Sequence, residues 1–322
     1  MGTTYNIVVV DESAQLDSAK LQSEIETVLA KVNSQMSNWD PESEISRFNA
    51  IAETMPVQLS VELATVMAKA QEVHEKSDGM FDITTGPLIE LWGFGPRDPE
   101  DAVPSQYEIE RAMERVGQTS KLRLDFGAGS ITKNHTDIEV NLSAIAKGYG
   151  IDAVASRLSE LGFQNHLVEI GGDLRATGKN SRSEPWRVGI EKPQADSRAV
   201  KRVVVLSDMG MATSGDYRNF VEFGGVRYSH IIDPSTGYPI THRTTSVSVV
   251  AEDAMTADAW ATALLVLGNR KGLEIANEHR IAAYFISRGF VVSETEFVIE
   301  KSEAFELENS DLKAEPSSNT TR

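Results

Sequence analysis

The chain of 322 residues contains no cysteine. Disulfides, thiolate nucleophiles, zinc–thiolate sites and iron–sulfur clusters are therefore excluded. No stretch approaches the ~18 apolar residues of a membrane span. Positive charge is scarce: 31 Lys and Arg stand against 48 Asp and Glu, giving a net charge of -17 and a pI of about 4.8. Such a chain repels phosphate backbones, so nucleic acid is not an expected partner. The acidity suits cations, and it is also common among soluble proteins. A Walker A loop, a GxGxxG following a strand, a GxSxG elbow and an HExxH pair are all missing. Ser214, in ATSGDY, has no nucleophile elbow around it. The opening MGTTYNIVVV is already strand-like with no leader before it, which predicts either a cytoplasmic protein or one whose leader has been removed.

With 40% apolar and 25% charged residues, the chain can bury a large core. Residues 5–10 read as a strand. Leu21, Ile25, Val28, Leu29, Val32 and Met36 fall at helical spacing. Val66, Met67, Ala70 and Val73 mark a second helix, with Ser60 as N-cap and Gly79 just beyond its end. SQYE at 105–108 is a capping box opening a third. Ile145, Ile151, Val154, Ala155, Leu158 and Leu161 give a fourth, stopped by Gly162. LRLDF, DIEVNL, HLVEI, WRVGI and KRVVVLS predict strands. Residues 220–223 and 226–229 form a hairpin about Gly224-Gly225. Residues 245–250 are a further strand, 257–267 an apolar helix, and 281–292 a last hairpin turning at Arg288-Gly289. Helices and strands alternate at first and then strands cluster. This predicts an α+β fold: one large domain over residues 1–300, with mixed or antiparallel sheets and packed helices. Residues 301–322, polar and ending EPSSNTTR, predict a disordered tail.

Five segments hold more glycine, small hydroxyls and carboxylates than a plain scaffold needs. FDITTGPLIELWGFG crowds glycines and aromatics around Asp82, as either a turn over a core edge or a loop whose rings face a planar ligand. In NLSAIAKGYG, Lys147 opens a helix against the dipole and Gly148 weakens that helix further, which points to a function. EIGGDLRATG can bring backbone close to a ligand or be a hairpin. MATSGDY can donate to phosphate oxygens or be a tight turn. In DAMTADAWATALLVLG, Asp258 and Thr262 are four apart and share a helix face. A carboxylate and a hydroxyl are hard ligands of the kind Mg²⁺ prefers, and a buried unpaired Asp would be costly. In HIIDPSTGYPI, His230 sits at the mouth of a stiff Asp-Pro-Ser-Thr-Gly corner, placed either incidentally or for a site.

Taken together and in order, MGTTY, MSNWDPESEISRFN, FDITTGPLIELWGFGP, NLSAIAKGYGID, VEIGGDLRATG, MATSGDYRNF, HIIDPSTGYPI and DAMTADAWATALLVLG resemble the ApbE family of FAD:protein FMN transferases over about the first 290 residues. The resemblance implies FAD in an elongated cleft, contacted at positions matching Met1, Trp39, Met80, Phe81, Asp82, Asn141, Lys147, His230 and Ile232. It implies Mg²⁺ held by the carbonyl of Ala144, the carboxylate of Asp258 and the Ala261–Thr262 region with the Thr262 hydroxyl. Asn141 departs from the aspartate usual in the family. The implied reaction is attack by a Thr or Ser hydroxyl of an acceptor on FAD, with AMP leaving; His230 is the candidate base, with Asp258 as a second possibility. The same site could instead hydrolyse FAD to FMN and AMP, or store flavin without turnover. The resemblance further implies acceptors among subunits of membrane redox complexes. It also implies a lipoprotein location on the periplasmic side of the bacterial inner membrane, with leader and anchor absent from this chain.

Overall fold

The computed structural model describes residues 2–11, 17–95, 103–193, 200–217, 219–289 and 297–308. Local signals shape the first half. Strand β1 (Tyr5–Val9) leads to α1 (Ser18–Met36), whose N-cap Asp17 accepts from the amides of Ala19 and Lys20. Ser43 caps α2 (Glu44–Ala50); β2 (Val57–Gln58) then leads to Ser60, which caps α3 (Val61–Lys76). The short α4 (Gly86–Leu91) precedes α5 (Gln106–Met113), where Ser105 and Glu108 form the reciprocal capping box expected from SQYE. Then come α6 (Gln118–Lys121), β3 (Leu122–Asp125), β4 (Ser130–Lys133) and α7 (Ala146–Glu160).

The second half is mainly strands: β5 (His166–Ile170), β6 (Asp173–Thr177), β7 (Trp186–Glu191), β8 (Val200–Leu206), β9 (Met209–Gly215), β10 (Phe220–Phe223), β11 (Val226–Ser229) and β12 (Thr244–Ala251). Helix α8 (Ala254–Glu278), β13 (Ala282–Arg288), β14 (Phe297–Lys301) and α9 (Glu303–Glu308) close the fold. A seven-stranded sheet runs β1-β5-β6-β9-β12-β13-β14, every neighbouring pair antiparallel. The architecture is α+β, with helices packed on an antiparallel sheet. Strand alternation assigns the two faces: Ala283 and Phe285 of β13 join the core with α3 and α8, while Ala282, Tyr284 and Ile286 face Trp186, Ile190 and Phe305 on the other side. Central strand β12 is buried along nearly its whole length, as coverage on both faces requires.

Three expectations are corrected. DIEVNL is not a strand. Its backbone finds side-chain partners instead of a neighbouring strand. Asn49 brackets Val140, donating to its carbonyl and accepting from its amide at 2.9 and 2.8 Å. Asn38 bridges the Val140 carbonyl and the Leu142 amide at 2.7 and 3.0 Å. The last hairpin does not turn at Arg288-Gly289: β13 runs through Arg288, which still pairs with Phe297 of β14, because the buried positions of β13 extend to Ser287 and the backbone of Arg288 finds its partner there. Finally, the fold does not end at 301. Helix α9 follows, Ser302 bonds both the amide of Ala283 and the carbonyl of Ile281, and Phe305 is 1% exposed against Tyr284. One aromatic anchors a segment whose average composition reads as tail. Residues 309–322 lie outside the described residues.

Phe305→Ala should therefore cost about 3–5 kcal/mol, the range for deleting a buried aromatic. Urea unfolding of the variant against the parent chain measures it.

Candidate active site

The framework of the site is the seat of α8. Its first turn lies in a slot between α7 and β9. A Cβ added to Gly148 would come 2.3 Å from the Ala254 carbonyl oxygen, and one on Gly210 would come 2.4 Å from the Ala254 nitrogen. Only glycine permits so close a backbone approach. Asp152 of α7 accepts from the amides of Ala254 and Met255 at 3.0 and 2.8 Å and pairs with Arg175 at 2.7 Å. Burial pushes its carboxyl up, while Arg175 and the two amides pull it back. The helix cost of Gly148 thus has a packing cause.

Asp258 is 4% exposed, yet it is not unpaired. The N-cap residue of α7, Ile145, offers no side-chain cap. Asp258 supplies one from the neighbouring helix, with Oδ2 accepting from the Gly148 amide at 2.9 Å. Its Oδ1 stands 3.9 Å from the Lys147 ammonium, beyond hydrogen-bond range. Lys147 is ion-paired with Asp173, a buried carboxylate at the start of β6 whose Oδ1 accepts from the Thr213 amide at 2.9 Å. The Gly171-Gly172 turn before it has both residues at positive φ. Thr262 hydrogen-bonds Ser214 of β9 at 3.1 Å. Residues 211–215 of MATSGDY therefore lie in a central strand rather than a turn, and Asp173, Thr213 and Ser214 are residues of the EIGGDLRATG and MATSGDY segments that meet the site.

A cavity of about 490 Å³ opens beside this corner, within the usual size for small-molecule sites. Met80, Phe81, Asp82, Asn141, Ala144, Lys147, His230, Ile232, Asp258 and Thr262 all line it. Ala261 is fully buried in α8 and does not. Trp39 is 67% exposed on the loop after α1 and does not line it either. Met1 lies outside the described residues.

Several of these side chains are committed elsewhere. The Asp82 carboxylate accepts from the Thr84 amide (2.7 Å), the Thr84 hydroxyl (2.5 Å) and the Gln118 amide (2.9 Å). It fixes the loop's shape, leaving main chain to meet a ligand. His74 steadies the same loop, donating from Nδ1 to the Phe81 carbonyl at 2.7 Å, with Nε2 hydrogen-bonded to the Thr119 hydroxyl at 2.8 Å. Trp92 is fully buried and bonds the Gly237 carbonyl at 2.9 Å, so that ring is scaffold. The Asn141 oxygen accepts from the Ser143 amide at 2.9 Å. An aspartate would close the same small turn, so the departure changes charge and donor capacity more than backbone shape.

At the opposite wall, β11 ends at Ser229 and His230 follows. Its Nδ1 lies 2.9 Å from the Asn219 carbonyl, an acceptor only, so Nδ1 carries the proton and Nε2 keeps its lone pair. Burial lowers its pKa below the usual histidine value, opposed by the Asn219 bond and the charge of Asp216. Phe94 meets the ring edge-on at 6.1 Å. The Asp-Pro-Ser-Thr-Gly corner is closed by Asp233, which accepts from the Ser235 amide and hydroxyl at 2.8 and 2.6 Å, and by the Gly237 amide bonding the Asp233 carbonyl. Ile240 bonds back to Ile231 at 2.9 Å. The chain on both sides of the turn is thereby held, and the imidazole with it.

Among the described residues no three His, Cys, Asp or Glu side chains converge as a metal site. The candidate metal donors are mixed: one carboxylate oxygen of Asp258, the Thr262 hydroxyl and the Ala144 carbonyl, all on the cavity wall. That set suits a hard cation whose shell is completed by water and phosphate.

An α+β fold with a carboxylate–hydroxyl–lysine corner at one wall of a cleft and an oriented imidazole at another defines a small-ligand site equipped for acid–base and phosphate chemistry. The chain belongs to the ApbE family, whose sequence pattern matches residues 1–285. It is 43% identical to an FAD:protein FMN transferase of Vibrio cholerae over 89% of this chain and 85% of that one. It is 42% identical to the Haemophilus influenzae protein of the same name over 95% and 88%. The solved flavin transferase ApbE from Vibrio cholerae superposes with a TM-score of 0.86 at 40% identity, over 95% of this chain and 96% of that one. The apo flavinyl transferase ApbE of Pseudomonas stutzeri gives 0.85 at 36% identity, over 96% and 94%.

Gly148→Ala should force α7 and α8 apart at the Asp258 contact. The expected loss is about 1–3 kcal/mol, as for an overpacked core, seen as a lower melting temperature. Gly162→Ala, at a position where nothing crowds a Cβ, serves as the control that carries only the positive-φ penalty.

Proposed function

We propose that this protein transfers FMN from FAD to a Thr or Ser hydroxyl of an acceptor protein and releases AMP. The observation that carries the reading is the joining of two kinds of group in one cleft: the hard-oxygen corner of Asp258, Thr262 and Ala144 beside Lys147, and His230 with Nε2 unprotonated. The names of the relatives support it. In this reading the apolar wall of Met80, Phe81 and Ile232 takes the flavin ring, and Lys147 faces the diphosphate. Asp258, Thr262 and the Ala144 carbonyl would hold Mg²⁺, which when bound withdraws charge from the diphosphate. His230 takes the acceptor proton at Nε2 while Nδ1 stays bonded to Asn219, so the ring does not rotate during the transfer. The acceptor oxygen forms a bond to the phosphorus of the FMN half, the bond from that phosphorus to the bridging oxygen breaks, and AMP departs with that oxygen. Acceptors among membrane redox subunits and a lipid-anchored periplasmic location belong to the same proposal and rest on the family resemblance alone.

Incubation with FAD and a Thr-bearing acceptor peptide, in Mg²⁺ or in EDTA, tests it by mass spectrometry. The expected result is a Mg²⁺-dependent peptide heavier by one FMN, with AMP. Free FMN with unmodified peptide would make the protein a hydrolase, and intact FAD in every mixture a flavin store.

His230→Ala should reduce turnover by about 10²–10⁴-fold, the usual contribution of a general base, while FAD affinity is kept. The sign of the pH effect follows from burial. A base acts when neutral, and the lowered pKa keeps His230 neutral at pH 7, so the rate should fall only below about 6.5, the ordinary histidine value. A pH–rate profile in which the alanine variant keeps the same acid limb would remove His230 from the role.

A further inference from the structure

Building on the FAD and Mg²⁺ reading, we propose that Asp173 makes FAD binding depend on the divalent cation, by neutralising the lysine that would otherwise receive the diphosphate. The cavity wall is acidic for a ligand that carries two negative charges. Asp82, Asp173, Glu191 and Asp258 all line it, and among the described lining residues Lys147 is the one lysine or arginine. That lysine is already engaged by Asp173, and its ammonium also stands 3.9 Å from Asp258. Asp173 is 2% exposed, and its second oxygen is tied to the Thr213 amide of a central strand, so it cannot swing away to release the lysine.

The charges in this corner decide the order of events. One lysine against two aspartates leaves one uncompensated negative charge in a partly desolvated place. A diphosphate entering alone adds two more, at distances where like charges repel strongly. A divalent cation entering alone meets the lysine's field at Asp258. Only the two together restore the starting balance. Each ligand therefore raises the affinity of the other, by the same factor in both directions. Asp173 is a positioning residue here. It acts through Lys147, and its effect appears in the coupling between ligands rather than in either contact alone.

Asp173→Asn keeps an oxygen for the Thr213 amide and removes the charge. Flavin fluorescence titrations of the full chain with FAD, in EDTA and in Mg²⁺, read the effect, and thermal melting checks the fold. In EDTA the variant should bind FAD roughly tenfold more tightly than the parent, a typical size for coupling between sites, and the gain from Mg²⁺ should shrink by a similar factor. A merely structural role would weaken FAD binding under both conditions. An unchanged ratio between Mg²⁺ and EDTA affinities overturns the proposal and leaves the transferase reading intact. A parent protein that binds FAD equally well in EDTA and Mg²⁺ overturns it together with the metal part of that reading. Should Asp173→Asn not melt cooperatively, Lys147→Met decides by calorimetric titration with Mg²⁺ alone. With the lysine's field gone, Mg²⁺ should bind more tightly than to the parent, and equal or weaker binding overturns the proposal.

Discussion

The site depends on one contact between backbones. The first turn of α8 fits against α7 and β9 because Gly148 and Gly210 put nothing between the main chains. That approach brings Asp258 to the uncapped amide of α7 and Thr262 to the hydroxyl of Ser214. It also sets Lys147, in the opening turn of α7, between Asp258 and Asp173. A methyl group at either glycine would part the elements and with them every group at this end of the cleft. The same geometry explains how a buried carboxylate is tolerated: one oxygen stabilises a helix terminus and the other remains for a ligand.

The imidazole end is organised differently. His230 is held by hydrogen bonds around a turn and by the edge of Phe94. Asn219 sets which ring nitrogen carries the proton, and Asp233 closes the corner that follows. A stiff corner holds the ring in one orientation, as the proposed base role requires. The two ends lie close in sequence: β9 supplies Thr213 and Ser214 at the charged corner, and Asp216, just after it, places its charge near His230.

Much of this was legible in the chain. Helices α1, α3, α5 and α7 were readable because their caps and apolar spacing are local: Ser60, SQYE and Gly162 each act within a few residues. DIEVNL was misread because its partners, the amides of Asn38 and Asn49, lie about a hundred residues away. Phe305 was missed because a single aromatic in a polar run carries no periodic signal. In the site, Asp258, Thr262 and His230 stand out from their neighbours, whereas the segment around Asp173 reads equally as a ligand-facing backbone or a hairpin, with no signal on Asp173 itself. Its importance comes from Lys147, which only the folded sheet brings to it. Asp82 was selected for its ligand-facing loop, yet its carboxylate serves the Gln118 amide, a tie no local pattern announces.

The pairing of β1 has a further consequence, in the time domain. Tyr5 lies opposite Ile170, and among the described residues β5 is the one strand β1 pairs with in the sheet. During synthesis the first strand therefore waits for its partner while about 160 residues are added, on the order of ten seconds or more at ordinary elongation rates. Throughout that interval Tyr5, Ile7 and Val9 have no β5 to cover them. Strand β1 is thus secured only once the middle of the chain has been made. Until β5 emerges, the backbone edge of β1 has to stay unpaired with other nascent strands.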